Sequence, residues 1–205
     1  MYNEDLSMQM YSMRLGEYIW NKIVQTFDCE DIKKIDNGEM VLNEKIIEQI
    51  IHNFGGTYVN FSRIIDNNGD DSEKIEQRMR GHLQEKYDEE NIKGNSYFVK
   101  TSDNNFEIGC KYFKLMDCVH ELGHLFLNLD TLEINKPIWS DESISKSEYM
   151  VDTFGRAFVM PRDRFLRTVT IYSELSECDI YSVAKTFGVE YIHAYIRGKE
   201  LMLWD

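Results

Sequence analysis

The chain has little of what marks several protein classes. It contains two prolines and no low-complexity tract, so no flexible linker divides it, and residues 1–205 read as one domain. Its four cysteines, Cys29, Cys110, Cys118 and Cys178, are scattered without paired spacing and read as reduced thiols of a cytoplasmic protein. No apolar run approaches the roughly 18 residues of a membrane span. The N-terminus is acidic where a signal peptide would be basic and then apolar. Lys and Arg total 23 against 36 Asp and Glu, a formal net charge of −13. The chain therefore lacks the basic face that nucleic acids and anionic membranes require, and neither is expected as a partner.

Histidine is also scarce, with five in all, yet two of them fall in His120-Glu121-Leu122-Gly123-His124. On an α-helix these histidines lie one turn apart on one face, with the glutamate on its flank. Zinc in a hydrolytic site takes three protein ligands and leaves a position open for water. A glutamate beside it can accept the proton of the attacking water. Leu115, Met116, Val119, Leu122, Leu125, Phe126, Leu127 and Leu129 surround the motif, so its histidines sit in an apolar helix and need polar partners, which a metal supplies. A third ligand has to come from elsewhere.

Taken in order, residues 4–27 carry an imperfect helical stripe through Leu6, Met10, Met13, Leu15, Ile19, Ile23 and Val24, read as core rather than as a partner surface. Asp36-Asn37-Gly38 is a turn signal. Asn43 is placed to cap a helix running to Phe54, with Ile46, Ile47, Ile50 and Ile51 buried. Gly55-Gly56 ends that helix, and residues 57–61 read as a strand. Residues 67–71 form a loop, and residues 72–90 a charged helix anchored by Ile75, Met79, Leu83 and Tyr87, in which His82 is expected to be exposed. Residues 96–100 and 105–110 read as a hairpin. The second strand leads into the metal helix, so its edge is expected near the metal, where it could pair with an extended peptide.

Downstream, the acidic candidates for the third ligand are Asp130, Glu133, Asp141, Glu142, Glu148 and Asp152. A ligand held on a helix is better positioned than one in a loop, and residues 147–160 read as a helix closed by Pro161. Spacing favours Glu148 as ligand, with Asp152 one turn on, accepting the free ring N–H of a histidine. The competing reading is an acidic helix N-terminus favoured by the helix dipole. Residues 163–171 and 179–203 read as further helices, and the pair broken at Gly188 has the look of a helix-turn-helix without its basic face.

With both motifs in hand, the chain resembles the ImmA/IrrE family of metallopeptidases. The resemblance rests on His120-Glu121-Leu122-Gly123-His124 and on Glu148-Tyr149-Met150-Val151-Asp152-Thr153-Phe154-Gly155 followed by Phe158-Val159-Met160-Pro161. The Glu-x-x-x-Asp spacing is similar to that of thermolysin-like gluzincins, and it makes Glu148 the expected third ligand. The fold implied is α+β and zincin-like, a small mixed sheet packed against the metal helix with further helices at both ends. The family core would cover residues 43–169, with an N-terminal helical extension over 1–42 and a C-terminal helical tail over 171–205. The resemblance departs at Leu115-Met116-Asp117-Cys118-Val119, where the family has an Arg-Phe-Thr-like run, and at the charged helix of residues 72–90, which looks like an insertion.

The expected centre is one Zn²⁺ held by His120, His124 and Glu148, with Glu121 as base and Asp152 supporting a histidine. Tyr112, Tyr149, Tyr191 and His193 are the candidates for stabilising the oxyanion. The resemblance implies a protein substrate, of the kind of a DNA-binding helix-turn-helix repressor of a mobile element or stress response. Two other readings compete. A deformylase would need Cys110 or Cys118 as ligand, and Cys118 points about 200° around the helix from His120. A regulatory or toxin-antitoxin protein could retain the zinc fold to bind a partner without catalysis.

Overall fold

The middle of the sheet is a strand buried at every position but its first. β3 (Asn105–Cys110) pairs in parallel with β1 (Gly56–Asn60) and antiparallel with β2 (Ser96–Ser102), giving the order β1-β3-β2. This computed structural model describes residues 2–64, 72–87, 94–102, 105–128, 144–172 and 179–204. The helices are α1 (Tyr2–Thr26), α2 (Glu30–Asp36), α3 (Glu44–Asn53), α4 (Ser72–Tyr87), α5 (Leu115–Asn128), α6 (Ile144–Val159), α7 (Arg162–Ile171), α8 (Ile180–Phe187) and α9 (Tyr191–Glu200), with a 3-10 turn at Phe61–Ile64. The chain is thus mixed α and β, with a small mixed sheet. The loop expected over residues 67–71 and the ligand candidates Asp130, Glu133, Asp141 and Glu142 lie outside the described residues.

Side chains alternate across a strand, and β3 uses both faces. Phe106, Ile108 and Cys110 enter the larger core, against which α3 and α5 pack. Glu107 points the other way, under α4, whose Ile75, Met79 and Leu83 join Phe61 and Tyr97 in a second cluster. A carboxylate buried there needs donors, and it has three: Tyr97 Oη at 2.7 Å, His82 Nε2 at 2.7 Å and Lys86 Nζ at 2.6 Å. His82 is therefore not the solvated residue its charged neighbourhood suggests. It is half-buried, holding Glu107 and lying edge-on to Phe61. Helical periodicity identifies α4's apolar stripe and is blind to a polar partner on the sheet.

The hairpin has the expected order, but the free edge belongs to the other strand. β3 is paired on both sides, so among the described residues the open edge beside α5 is that of β2. Asn43 caps α3 as expected, accepting from the Ile46 N–H at 3.2 Å, and all four isoleucines are buried. α1 lies along α6. Tyr11, Leu15, Ile19, Trp20 and Ile23 form its buried face, while Leu6 and Met10 are exposed, so the apolar stripe is rotated from the one expected. Gly16 permits the approach, because a Cβ there would lie 2.5 Å from the Phe154 carbonyl oxygen. The short α2 had no counterpart in the sequence reading; Ile32 and Ile35 bury it, and Trp20 Nε1 donates to Asp36 at 2.9 Å.

At the C-terminal end, Gly188 adopts φ +68° and breaks α8 from α9, as the sequence suggests. α9 returns to α6 through a buried ionic network. Arg156 Nε donates to Glu200 at 2.8 Å, and Arg197, fully buried, donates to Glu200, to Glu17 on α1 and to the Met160 carbonyl oxygen. Each charge in the network faces an opposite one, which its burial requires.

Candidate metal centre

α5 and α6 cross with almost nothing between them, and Gly123 is the reason. A Cβ at Gly123 would lie 2.7 Å from Val151 Cγ1 and 3.1 Å from Phe154 Cδ1. The glycine inside the motif therefore lets α6 approach closely enough to present Glu148 to both histidines.

The three side chains converge. His120 Nε2 lies 3.2 Å from His124 Nε2 and 3.1 Å from Glu148 Oε2, and His124 Nε2 lies 3.7 Å from Glu148 Oε1. Two nitrogens and an oxygen bound tetrahedrally at zinc distances of about 2.0–2.2 Å stand about 3.3 Å apart, so the spacing fits one small tetrahedral ion. It is the one group of three such side chains found within coordinating reach of one another among the described residues. Asp152 Oδ1 is 2.8 Å from His120 Nδ1, which places the ring proton on Nδ1 and leaves the Nε2 lone pair directed at the cluster. Phe98 of β2 stacks on the ring of His124.

Burial opposes charge on His120, but the bond to Asp152 and the nearby Glu121 and Glu148 carboxylates outweigh it and raise its pKa. His124 shifts down through burial and the charge of His120. Asp152 is held low because its bond to His120 and the charges of His120, Arg156 and His193 overcome its desolvation. Glu121 is buried, and its pKa is raised mainly by that burial, with Glu148 and Asp117 adding to the shift and Ser96 and His120 opposing it. Ser96 Oγ donates to Glu121 Oε1 at 2.8 Å, which fixes the carboxylate at the start of β2.

A cavity of about 370 Å³ opens beside the cluster. Gly94, Asn95 and Ser96 form one wall, Met116, Asp117, His120 and Glu121 the floor, and Asp152, Arg156 and His193 the far wall. Of the four oxyanion candidates, only His193 lines this cavity. Tyr191 instead packs at a tilt against Tyr181 and stacks on Tyr195, and Tyr112 and Tyr149 lie outside the lining. α9's return over α6 is what brings His193 to the cleft. The deformylase ligand set is not formed, since Cys110 and Cys118 are fully buried and Cys110 Sγ sits 3.2 Å from Tyr58 Oη.

Sequence reasoning missed Ser96, Asp117 and Arg156. Arg156 follows Asp152 by one helical turn and Asp117 precedes Glu121 by one, so helical spacing could have found both. Ser96 reaches Glu121 through the packing of β2 on α5, which leaves no local signal.

Comparison with protein-family models found no match, and searches of curated proteins and of solved structures found none either. The resemblance to the ImmA/IrrE metallopeptidases accordingly rests on the two motifs themselves, His120 to His124 and Glu148 to Pro161.

Proposed function

We propose that this protein is a zinc-dependent endopeptidase of zincin-like fold, with His120, His124 and Glu148 as ligands to one Zn²⁺ and Glu121 as catalytic base. The observation that carries the reading is the convergence of His120, His124 and Glu148 at spacings suited to a tetrahedral ion, with Glu121 lining the adjoining cavity. When bound, zinc supplies Lewis acidity toward a water and toward the substrate carbonyl. Glu121 takes a proton from the water on a carboxylate oxygen and returns it to the leaving amide nitrogen. Asp152 holds the His120 ring in one tautomer.

The substrate is an extended polypeptide laid along the free edge of β2. Backbone pairing there would be independent of sequence and would lead the chain past Ser96 to the cluster. Following the family resemblance, a helix-turn-helix repressor is the protein substrate proposed, cleaved in the cytoplasm.

The test is hydrolysis of such a repressor, or of an unfolded general protein substrate, by zinc-loaded wild type and by Glu121→Gln. The variant should retain stoichiometric zinc and lose about 10²- to 10⁴-fold in rate. Equal cleavage by both proteins would refute the assigned base. Absence of cleavage by zinc-loaded wild type would leave the non-catalytic partner-binding reading in its place.

A further inference from the structure

The cavity beside the cluster carries an unbalanced charge. Arg156, the cation on its far wall, is matched by buried Glu200, at 2.7 Å from Arg156 Nη2. Asp152 is taken up by the metal centre, accepting the ring N–H of His120 at 2.8 Å. A divalent ion on the three ligands would balance Glu148 and Glu121. Asp117 is different. Its Oδ2 accepts from the side-chain amide of Asn95 at 2.9 Å, a neutral donor, and no cation pairs with it among the described residues. Asn95 also binds the Tyr112 backbone through both its amide nitrogen and its carbonyl oxygen, so it is locked as a prop for Asp117 and cannot swing away to expose another group. His193, the other basic group facing this space, has its pKa lowered by burial and by Arg156, which outweigh the opposing charges of Glu190, Asp152 and Asp117.

We propose that this cavity is a substrate side-chain subsite that selects lysine or arginine next to the scissile bond, with Asp117 as its specificity-determining residue. The proposal rests on the metallopeptidase reading and adds the substrate class to it. Asp117 lies on α5 one turn before Glu121, so a side chain entering the cavity from a residue at the metal runs along the helix toward its carboxylate. The apolar stem of a lysine would lie against Met116, leaving the ammonium for Asp117. A volume of about 370 Å³ accommodates such a side chain. A cation there would also suit the basic surface of a nucleic-acid-binding protein as substrate.

The experiment uses Nα-acetyl hydroxamates of lysine, norleucine and glutamate, whose chelating group anchors on zinc while the side chain is free to enter the cavity. Zinc content is measured first, and binding to zinc-loaded wild type and Asp117→Asn is then followed by calorimetry. Lysine and norleucine share a stem, so their ratio isolates the charge. Lysine hydroxamate should bind wild type about 10- to 100-fold more tightly than the norleucine probe, the scale of a charge-assisted hydrogen bond. Glutamate should bind most weakly, and Asp117→Asn should abolish the lysine advantage while binding norleucine as wild type does. Norleucine binding as tightly as lysine in wild type, or a lysine advantage that survives in Asp117→Asn, overturns the subsite alone. Zinc bound without affinity for any probe overturns the subsite as one adjoining the metal. Failure to bind zinc overturns the metallopeptidase reading and this inference with it.

Discussion

Replacing Gly123 by alanine separates the stability of the fold from the geometry of the metal cluster. Ordinary carbon–carbon contacts are about 3.5–4.0 Å, and the new Cβ would stand 2.7 Å from Val151 Cγ1, 3.1 Å from Phe154 Cδ1 and 3.3 Å from the Val151 carbonyl oxygen. Val151 is β-branched and held to one rotamer in a helix, so the strain passes to the backbone of α6. Relief requires α6 to recede by about 1 Å, several times the roughly 0.2 Å that zinc bond lengths tolerate. Glu148 rides on that helix, three residues before Val151. The alanine itself favours helix by about 1 kcal/mol over glycine, which offsets part of an overpacking cost of about 1–3 kcal/mol. We therefore expect a metal-free stability change of no more than about 2 kcal/mol and a loss of about 10- to 100-fold in zinc affinity. Chemical denaturation of the metal-free proteins and competition with a chromophoric chelator measure the two quantities separately. Gly81→Ala is the control: it lies exposed within α4 with nothing within 4 Å of its added Cβ, and it should gain up to about 1 kcal/mol. A Gly123→Ala protein that behaves like Gly81→Ala, more stable and with unaltered zinc affinity, refutes the argument that this glycine sets the spacing of the ligands.

Other expectations follow from the same geometry. Asp152→Ala removes the acceptor that orients His120 and should weaken zinc about 10- to 100-fold with little change in the metal-free fold, read by the same competition assay. Burial raises the pKa of Glu107, yet the bonds from Lys86, Tyr97 and His82 outweigh it and hold the carboxyl below its ordinary 4.5. A folded pKa below the unfolded one means that this stabilisation is fully present above about pH 4.5 and is lost as the pH falls through the folded value. Glu107→Gln should cost about 2 kcal/mol at neutral pH and flatten that acid limb in a series of urea titrations; an unchanged limb would show that α4 is not held through Glu107.

Where a segment's burial is periodic and local, the sequence disclosed its structure. The isoleucines of α3, the Asn43 cap, the stripe of α4 and the break at Gly188 all declare themselves within a few residues. The two histidines were legible for a similar reason, standing one turn apart on one helix, whereas spacing only favoured Glu148 and the family resemblance singled it out. What was hidden depends on contacts between distant segments. The parallel pairing of β1 with β3 carries no local mark, and so the free edge was assigned to β3 when it belongs to β2. His82 looked solvated because its partner, Glu107, lies on a strand 25 residues away. His193 reaches the cleft because α9 packs back on α6, where Arg156 binds Glu200.

The central claim is that His120, His124 and Glu148 share one zinc ion. The direct measurement is anomalous diffraction, on either side of the zinc absorption edge, from crystals of the protein grown with one equivalent of zinc. A single anomalous peak is expected about 2.0–2.2 Å from His120 Nε2, His124 Nε2 and a Glu148 carboxylate oxygen. A peak at other side chains, or none at this cluster in crystals shown by fluorescence to contain zinc, would contradict it.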